Sequence, residues 1–370
     1  MGSREAARDA IIIGGGIAGL AAGTALRRAG IQVAIYEQAP TLEPRGAALS
    51  LWPNAKQALA RIGMLAPVEA VSAHIDSLSI AMKSGNPLIP PIALADPGLV
   101  VQRTDLQKAL GAPLEDVVHL GSTVAGVVAE HQRPRVLVDG QELSADLVVD
   151  ASGLHSTTAD TLIGNSAKFR KFGGVVAITE ASRPMSKGYE WVARSERAGL
   201  FPLTGGRSYW YFTRDQLRED ALPSLDEIAS RTDQWPSVFK AAVARTRSDR
   251  AYQVVIHARE RPSKLGRGQV ICIGDAAHGM EPTLGQGACQ ALEDAATLCE
   301  LAARLPPSEI LNAFEQKRLS RVRHVMGRSS FWTHAAHGPL ILQKIVRTIT
   351  RLTPSGVLDR SMEEIHRMPT

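Results

Sequence analysis

One glycine-rich stretch, GQVICIGDAAHGMEPTLGQGACQALEDAATL from Gly268 to Leu298, carries side chains that could do chemistry. Asp275 and His278 lie in its turn, between an apolar segment and an alanine-rich one. An acid and a histidine could transfer protons or bind a metal ion, and a glycine-rich turn that opens a helix could bind an anionic group. No nucleophile is paired with His278 in the sequence, so we expect it to be structural or to lie near a cofactor.

A second glycine-rich turn lies near the start of the chain, in AIIIGGGIAGLAAGTALRRAGIQVAIYEQ. Gly14, Gly16 and Gly19 match G-x-G-x-x-G between a predicted strand and a predicted helix, and Glu37 ends the next strand. The glycines allow a tight turn, the approach of a pyrophosphate and close helix packing, while the acid accepts hydrogen bonds from a ribose. The pattern predicts a dinucleotide site, for FAD or NAD, without a ribose 2′-phosphate.

The composition is that of an ordinary globular protein. The chain has 370 residues, 44% hydrophobic and 21% charged, which is enough for about two domains. Its three cysteines are in no metal-ligand spacing, which argues against a disulfide framework or a metal site and favours the cytoplasm. The net charge is +5 and the basic residues are scattered, so nucleic-acid binding is not expected. No apolar run reaches the length of a membrane span.

Apolar periodicity and turn residues predict the elements that position the two turns. Residues 10–37 predict a βαβ unit. NAKQALARIGML and RTDLQKALGAPL predict helices, the second with Thr104 or Asp105 as N-cap, and IDSLSIAM predicts a strand. Three or four strands follow, with a turn at Asp139-Gly140, and LTGGRSYWYF predicts a hairpin. The chain from Ser308 onward predicts helices rich in arginine.

The motifs together resemble one protein family. GDAAH…P…GQG…EDA is similar to the second FAD fingerprint of the single-component aromatic hydroxylases. These are the group A flavoprotein monooxygenases, typified by p-hydroxybenzoate hydroxylase. EPRGAALSLWPNAKQALARIGML, VQRTDLQKAL, DLVVDASGLHS and FEQKRLSRVR resemble further parts of the family, in the same order. GAALSLWPNA looks most like the urate and salicylate hydroxylase branch.

The resemblance implies which residues hold FAD. Asp275 is expected to bind the ribityl chain, Pro282 to lie beside the isoalloxazine ring, and Arg103 to contact the phosphate and ribityl region. The full expected set of cofactor-binding residues is Gly14, Gly16, Ile17, Ala18, Gly19, Glu37, Gln38, Arg45, Gly46, Ala47, Arg103, Val124, Ser152, Gly153, Gly274, Asp275, Pro282, Gly285, Gln286 and Gly287. Of these, Gly285, Gln286 and Gly287 are expected to bring backbone N–H groups to the pyrimidine edge of the ring.

One motif departs from the family pattern. The family usually has GADGxxSxxR, whose aspartate serves both the FAD pyrophosphate and NAD(P)H handling. Here Ser152 stands in place of that aspartate, and Ala159 in place of the arginine. One hydrogen bond to a charged partner contributes on the order of 1.5–3 kcal/mol, so we expect FAD binding to survive. The departure therefore bears on how NADH or NADPH is bound and used.

Candidates for the substrate pocket are Arg45, Tyr209, Tyr211, His257 and Pro282, and no catalytic base is identified. Tyr209 and Tyr211 share one face of a predicted strand, with Trp210 and Phe212 on the other, so they could line a pocket or simply pack the sheet.

Charged residues elsewhere have simpler interpretations. We expect Glu293 and Asp294 to be solvated or salt-bridged rather than catalytic. The basic C-terminal helices, with Lys344, Arg347 and Arg351, could touch a membrane, but a solvated face is the simpler interpretation.

The resemblance implies an FAD-dependent monooxygenase. NADH or NADPH, as a transient reductant, reduces FAD, O₂ adds at flavin C4a, and the hydroperoxide hydroxylates a small aromatic or heteroaromatic substrate. Two alternatives stay open: another flavin-dependent oxidoreductase, such as an epoxidase or dehydrogenase, and a flavin-binding protein that has lost turnover. The expected protein is a cytoplasmic monomer or homodimer without metal or stable membrane insertion.

The expected fold is α/β, with a Rossmann-like FAD-binding domain, an interleaved mixed β-sheet substrate domain and C-terminal helices. The FAD-binding domain is expected to be discontinuous, over residues 8–70, 99–165 and 266–305. The substrate domain takes residues 71–98 and 166–265, and the C-terminal helical segment takes 306–370.

Overall fold

The computed structural model describes residues 9–42, 46–130, 133–181 and 185–369, and Arg45 lies outside them. The strands in this part of the chain are β1 (Asp9–Ile13), β2 (Gln32–Glu37), β3 (Ala48–Leu51), β4 (Ala73–Met82), β5 (Ile92–Gln102), β6 (Val118–Leu120), β7 (Val124–Val128), β8 (Arg135–Val138), β9 (Gln141–Ser144), β10 (Leu147–Asp150), β11 (Lys168–Ile178), β12 (Lys187–Ala193), β13 (Glu196–Pro202), β14 (Ser208–Asp215), β15 (Ala251–Ala258), β16 (Gly266–Arg267) and β17 (Val270–Cys272). The α-helices are α1 (Ile17–Arg28), α2 (Pro53–Arg61), α3 (Leu65–Glu69), α4 (Arg103–Gly111), α5 (Thr157–Ile163), α6 (Leu225–Arg231), α7 (Ser237–Ala244), α8 (Asp275–His278), α9 (Gly287–Ala302), α10 (Pro307–Thr333), α11 (Leu340–Leu352) and α12 (Ser355–His366).

The first sheet brings the two glycine-rich turns to one edge. It has six strands in the order β16-β17-β10-β1-β2-β6, all parallel except β16, which is antiparallel to β17. Ile13 at the end of β1 pairs with Asp150 at the end of β10, and Asp150 pairs with Cys272 at the end of β17. Because ligands bind at the carboxyl ends of the strands in such open sheets, this edge is the place to look for a site.

The second sheet is mixed and has eight strands in the order β15-β11-β14-β13-β12-β4-β5-β3. Its pairs are antiparallel apart from β12 with β4, which is parallel. β13 and β14 form the predicted hairpin. The expected fold class, with an interleaved mixed sheet and C-terminal helices, is confirmed. β3 and the last residues of β5 pair here although they fall in ranges expected for the FAD-binding domain, so the domain bounds stay a prediction.

A third sheet contains the predicted turn at Asp139-Gly140. It is antiparallel, in the order β7-β8-β9. Asp139 and Gly140 both have positive φ, 49° and 81°, as a two-residue type I′ hairpin requires. The expected N-cap of α4 was wrong: the helix begins at Arg103 and Gln102 is its N-cap. Because the helix begins immediately after β5, Thr104 and Asp105 lie inside its first turn.

Helix α9 lies at the centre of the main core. It packs against α1, α2 and α10, and most of its residues are buried, as expected for a helix covered on several sides. Its N-terminus directly follows the second glycine-rich turn, so the core fixes the position of that turn. No helix in the described ranges is long and apolar enough to cross a membrane.

Candidate cofactor and substrate site

The glycines of the first turn are required by close backbone contacts. Gly14 has φ +101°, and a Cβ there would lie 2.6 Å from the carbonyl oxygen of Ala151. A Cβ at Gly19 would lie 1.9 Å from the carbonyl oxygen of Gly14. Around the position of a Cβ on Gly16 there is nothing within 4 Å. The turn therefore packs tightly on the sheet side and is open at the N-terminus of α1, where Ile17 and Ala18 follow, as a pyrophosphate site must be.

Glu37 is oriented by the turn that it borders. Its Oε2 accepts a hydrogen bond from the Gly15 N–H at 2.7 Å, and its Oε1 accepts one from the Ala39 N–H at 2.8 Å. A carboxylate has about four acceptor positions, so it can still accept from two ribose hydroxyls. Gln38 is the next residue along. Gln107, which the sequence did not suggest, donates from Nε2 to the Gly15 carbonyl at 2.8 Å.

The second turn packs directly on the first. Gly274 has φ +57°, and a Cβ there would lie 2.8 Å from the Cβ of Ala18. The next residue, Asp275, is exposed, and its Oδ1 lies 3.7 Å from the Cβ position of Gly287 at the start of α9. The carboxylate expected to bind the ribityl chain therefore lies in the open, beside the N-termini of two helices.

The loop from Pro282 to Gly287 is held from behind. Trp52 Nε1 donates to the Leu284 carbonyl at 3.1 Å, and Asn54 Nδ2 donates to Gln286 Oε1 at 2.9 Å. Gly285 has φ +62°. Pro282 is exposed, whereas the Gln286 side chain is buried. The Gln286 side chain is thus held in the core, and the contact with a ligand expected from its backbone N–H stays a prediction.

Arg103 contacts Gly46 and Ala47, the first residues that the structure describes after position 45. Its backbone N–H donates to the Ala47 carbonyl at 3.1 Å. Its Cδ lies 3.7 Å from the Cβ position of Gly46, whose φ is +110°. Val124, at the start of β7, instead packs against the apolar cluster that contains Ile13.

Arg259, which was not predicted from the sequence, contacts the DASGLHS segment and the start of α5. Ser152 is exposed, but its hydroxyl donates to Asp150 Oδ1 at 2.5 Å, and Gly153 has open space around it. Ala159, where the family has an arginine, is buried. The guanidinium of Arg259 lies nearby: its Nη1 donates to Asp160 Oδ1 at 2.7 Å.

Arg259 ties the motif to the second glycine-rich turn. Its side chain is fully buried. Nη2 donates to the carbonyls of Leu154 at 2.7 Å and Ser156 at 3.2 Å, and Nε donates to the Asp275 carbonyl at 3.2 Å. Nη1 also donates to the Asn165 carbonyl. One arginine, distant in sequence, thus joins the two motifs at the edge of the first sheet.

A buried ionic network lies behind the second turn. Asp294 Oδ2 accepts from the Gly274 N–H at 3.0 Å and from His278 Nε2 at 2.6 Å, and its Oδ1 accepts from Arg318 Nε at 2.7 Å. Arg318 also contacts Glu293, whose Oε1 accepts from Arg321 Nη2 at 3.0 Å.

The same network corrects one expectation for α9. Glu293 and Asp294 are salt-bridged, as one interpretation held, but the solvated alternative is wrong because both are buried. Burial raises the pKa of each carboxyl, but neighbouring groups outweigh it and hold both pKa values below the ordinary range. These are Arg318 and Arg321 for Glu293, and the contacts with His278 and Arg318 for Asp294. His278 is buried and bonded to Asp294, as the expected structural role requires. No group of His, Cys, Asp and Glu in the described ranges could hold a metal.

The two faces of β14 are different. Trp210 and Phe212 pack into an apolar cluster behind the sheet. Tyr209 and Tyr211 lie on the other face, with Phe201 stacked at 6.1 and 6.4 Å from their ring centroids. Burial raises the pKa of both tyrosines, so the phenols stay protonated near neutral pH.

A charged pair on the same face was not found from the sequence. Arg197 forms an ion pair with Glu190, and Tyr211 donates to Glu190 Oε1 at 3.0 Å. Burial lowers the pKa of Arg197, but Glu190 outweighs it and raises the pKa above its usual value. Arg197 Nη2 also donates to the Thr283 carbonyl at 2.9 Å, next to Pro282. One sequence signal could have found Arg197. Side chains alternate between the two faces of a strand, so Arg197 shares a face of β13 with Phe201.

His257 does not join this group. It lies on the edge strand β15, and its Nε2 is 3.1 Å from Glu219 Oε1. Its ring contacts those of His155 and Phe169. The structure brings together Tyr209, Tyr211 and the loop of Pro282, and leaves His257 apart.

The residues at the sheet edge fit an FAD. There is open space at Gly16 and Gly153. Donors and acceptors that a dinucleotide needs are supplied by the helix N-termini, by the exposed Asp275 and by Arg103. Residues 7–329 also match the model of a family described as an FAD-binding domain.

The chain belongs to this family.

Two relatives and one solved structure show which enzymes of the family the chain is similar to. The FAD-dependent urate hydroxylase of Klebsiella pneumoniae subsp. pneumoniae is 30% identical over 349 residues, 89% of this chain and 90% of the relative. The 3-amino-4-hydroxybenzoate 2-monooxygenase PtmB3 of Streptomyces platensis is 31% identical over 352 residues, 89% of this chain and 88% of the relative. The structure of Klebsiella pneumoniae HpxO with FAD and uric acid has a TM-score of 0.88 at 25% identity, covering 97% of this chain and 96% of that one. The chain is thus an enzyme of the FAD-dependent hydroxylase and monooxygenase family, which confirms the resemblance stated from the motifs.

Proposed function

We propose that the enzyme uses NADH or NADPH and O₂ to hydroxylate a small, planar aromatic or heteroaromatic substrate that carries a polar or acidic edge. The observation that carries the proposal is the position of Arg197. It lies on the aromatic face of Tyr209 and Tyr211 and is bonded to the Thr283 carbonyl, beside the loop expected to lie against the flavin. The relatives that act on urate and on 3-amino-4-hydroxybenzoate support this substrate class.

The residues of the chain have defined tasks in this reaction. Bound FAD supplies the redox chemistry and the activation of O₂. The aromatic face of Tyr209, Tyr211 and Phe201 excludes water and supports a flat ring. Glu190 holds Arg197 in place, and the guanidinium offers donors to a carboxylate or ring oxygen of the substrate. Both tyrosine hydroxyls stay protonated and can donate hydrogen bonds.

The cofactor residues follow from the sheet edge. We assign the pyrophosphate to the turn of Gly14 to Gly19, the adenosine ribose to Glu37, and the ribityl chain to Asp275. The flavin edge then meets the backbone of Gly285, Gln286 and Gly287. Ser152 cannot repeat the role of an aspartate because its hydroxyl is engaged by Asp150. Arg259 holds the segment in place through the carbonyls of Leu154 and Ser156.

The wider setting is also part of the proposal. The three cysteines are free, and two of them are buried, which fits the reducing cytoplasm. The domain bounds stated above, with 8–70, 99–165 and 266–305 around the cofactor, agree with the two glycine-rich turns meeting at one edge. Small molecules are the expected partners, and the assembly is a monomer or homodimer.

The first experiment is to purify the protein, record its flavin spectrum, and screen aromatic acids, phenols and purines for faster NADH or NADPH consumption. Urate and 3-amino-4-hydroxybenzoate belong in the screen. Stimulated consumption with an oxygenated product supports the proposal. FAD that neither NADH nor NADPH reduces, with any compound present, would show a flavin protein without turnover. Stimulated consumption without oxygen transfer would show a different flavin oxidoreductase.

A variant pair then tests the substrate face. Arg197→Gln removes the buried guanidinium charge, whereas Arg194→Gln removes an exposed one three residues away. Loss of one charged hydrogen bond in Arg197→Gln should lower kcat/KM for an acidic substrate on the order of ten- to hundredfold. Equal kcat/KM values for the two variants and the wild type would show that Arg197 does not contact the substrate.

A further inference from the structure

Helix α11 is apolar on the side that faces away from the protein. Among the large apolar side chains that the structure describes as exposed, a cluster lies on this one helix: Leu340 (42%), Ile341 (69%), Leu342 (38%), Ile345 (47%), Ile349 (49%) and Leu352 (77%). Spacings of three and four residues place side chains on one face of a helix. We call Ile341, Ile345, Ile349 and Leu352 the outer stripe. Contiguous exposed apolar groups of this kind mark an interaction surface, unlike scattered ones.

The opposite face of the same helix is anchored. Gln343, Val346 and Thr350 are 2%, 4% and 3% exposed. Arg347 donates from Nε to the Ala335 carbonyl at 2.7 Å and from Nη2 to the Ala193 carbonyl at 2.5 Å. The helix therefore lies flat on the body of the protein, and the outer stripe is held outward.

The charged side chains of α11 itself have one sign. Residues 340–352 contain three basic side chains and no acidic one, and Lys344 and Arg351 are exposed. Pairing α11 with a second copy of itself would bring two positively charged helices together. An anionic surface would instead neutralise them, so charge complementarity favours an anionic occupant over self-association.

We propose that α11 docks the protein on an anionic membrane surface. The outer stripe lies in the boundary between headgroups and acyl chains, and Lys344 and Arg351 contact lipid phosphates. A helix that lies flat, with an apolar outer face and basic neighbours, has the geometry of an interfacial helix rather than a spanning one. The attachment is peripheral and reversible, and it does not depend on the proposed substrate.

The test uses the FAD-loaded full chain and lipid vesicles in a sedimentation assay. Vesicles of phosphatidylcholine alone are compared with vesicles that also contain phosphatidylglycerol, at low and at high salt. We expect binding to the anionic vesicles that weakens as salt rises. Ile345→Gln combined with Ile349→Gln should abolish it. Lys344→Gln combined with Arg351→Gln should weaken it on the order of tenfold and remove most of the salt dependence.

Leu217→Gln is the matched control, because Leu217 is 90% exposed but lies outside α11. It should bind vesicles like the wild type. All variants should keep their FAD content and melting temperature, since the altered side chains point away from the core. The proposal is overturned if the wild type does not bind anionic vesicles at low salt, or if the isoleucine variant binds equally well. A wild-type dimer that the isoleucine variant converts to monomers would also overturn it, by showing a surface for self-association.

Discussion

Replacing Arg259 with methionine removes a buried guanidinium from the point where three segments of the cofactor site meet. The arginine donates to carbonyls of the DASGLHS motif, to the Asp275 carbonyl of the second turn and to the Asp160 carboxylate. Methionine fills much of the same volume but donates to none of them. The carbonyls of Leu154 and Ser156 would lose their charged donor in a place that water cannot easily reach.

The expected cost follows from these contacts. Breaking a buried ion pair costs about 3–5 kcal/mol. We take the lower part of that range for the pair itself, because Asp160 is 36% exposed and can be rehydrated, and the lost carbonyl bonds add to it. With an unfolding entropy of about 2.1 cal/mol/K per residue over 370 residues, about 3–5 kcal/mol lowers Tm by roughly 4–6 °C.

The assay is differential scanning fluorimetry of the apo and FAD-loaded forms, with FAD affinity from fluorescence titration. Arg259→Met should lower both Tm values and weaken FAD on the order of tenfold. Arg261→Met is the control, because Arg261 is exposed and close in sequence. A Tm within about 1 °C of wild type, with unchanged FAD affinity, would refute the idea that Arg259 joins the two motifs.

Three further predictions concern the frame of the same site. Arg318→Met should lower the free energy of unfolding by about 3–5 kcal/mol, measured by urea denaturation, whereas Lys317→Met should change it by less than about 0.5 kcal/mol. Gly19→Ala should give protein without FAD after purification, because its Cβ would lie 1.9 Å from a carbonyl oxygen; absorption at flavin wavelengths measures this. The rings of His366 and Trp52 stack with centroids 4.7 Å apart, and Trp52 donates to the Leu284 carbonyl in the loop expected to lie beside the flavin. His366→Ala should therefore shift the spectrum and reduction potential of bound FAD, and His366→Phe should restore them.

Each of these has a result that contradicts it. Arg318→Met also tests pH dependence: Glu293 and Asp294 have lowered pKa values when folded. Their stabilisation is therefore complete above the ordinary carboxyl range and is lost as pH falls through the lowered values. A variant with the same stability loss on acidification as the wild type would argue against the network. Normal FAD content in Gly19→Ala, or equal flavin spectra in both His366 variants, would count against the other two.

Local patterns in the sequence predicted the parts of the site that lie close together in the chain. G-x-G-x-x-G with Glu37 located the first turn, and GDAAH with GQG located the second. The hairpin turn at Asp139-Gly140 followed from its residue types. In each case the physical requirement, positive φ or a close backbone approach, is imposed within a few residues and is therefore visible there.

Contacts between distant segments were not predictable in the same way. Arg259 lies about a hundred residues after the motif that it holds, and nothing around it marks it as buried. Glu293 and Asp294 looked like helix surface because Arg318, which neutralises them, comes from another helix. The Glu190–Arg197 pair is only seven residues apart, but it forms across β12 and β13, whose pairing was not predicted from the sequence. Burial of charge depends on tertiary packing, which local composition does not encode.

If the enzyme is a monooxygenase, the oxygen atom added to its substrate must come from O₂, and isotope labelling measures this. The enzyme, FAD, NADH or NADPH and the best compound of the screen are incubated under ¹⁸O₂ in ordinary water, and the product is analysed by mass spectrometry. We expect a product that has gained one ¹⁸O atom, in proportion to the reductant consumed. A product carrying only oxygen from water, or reductant consumed with no oxygenated product from any compound, would contradict this expectation.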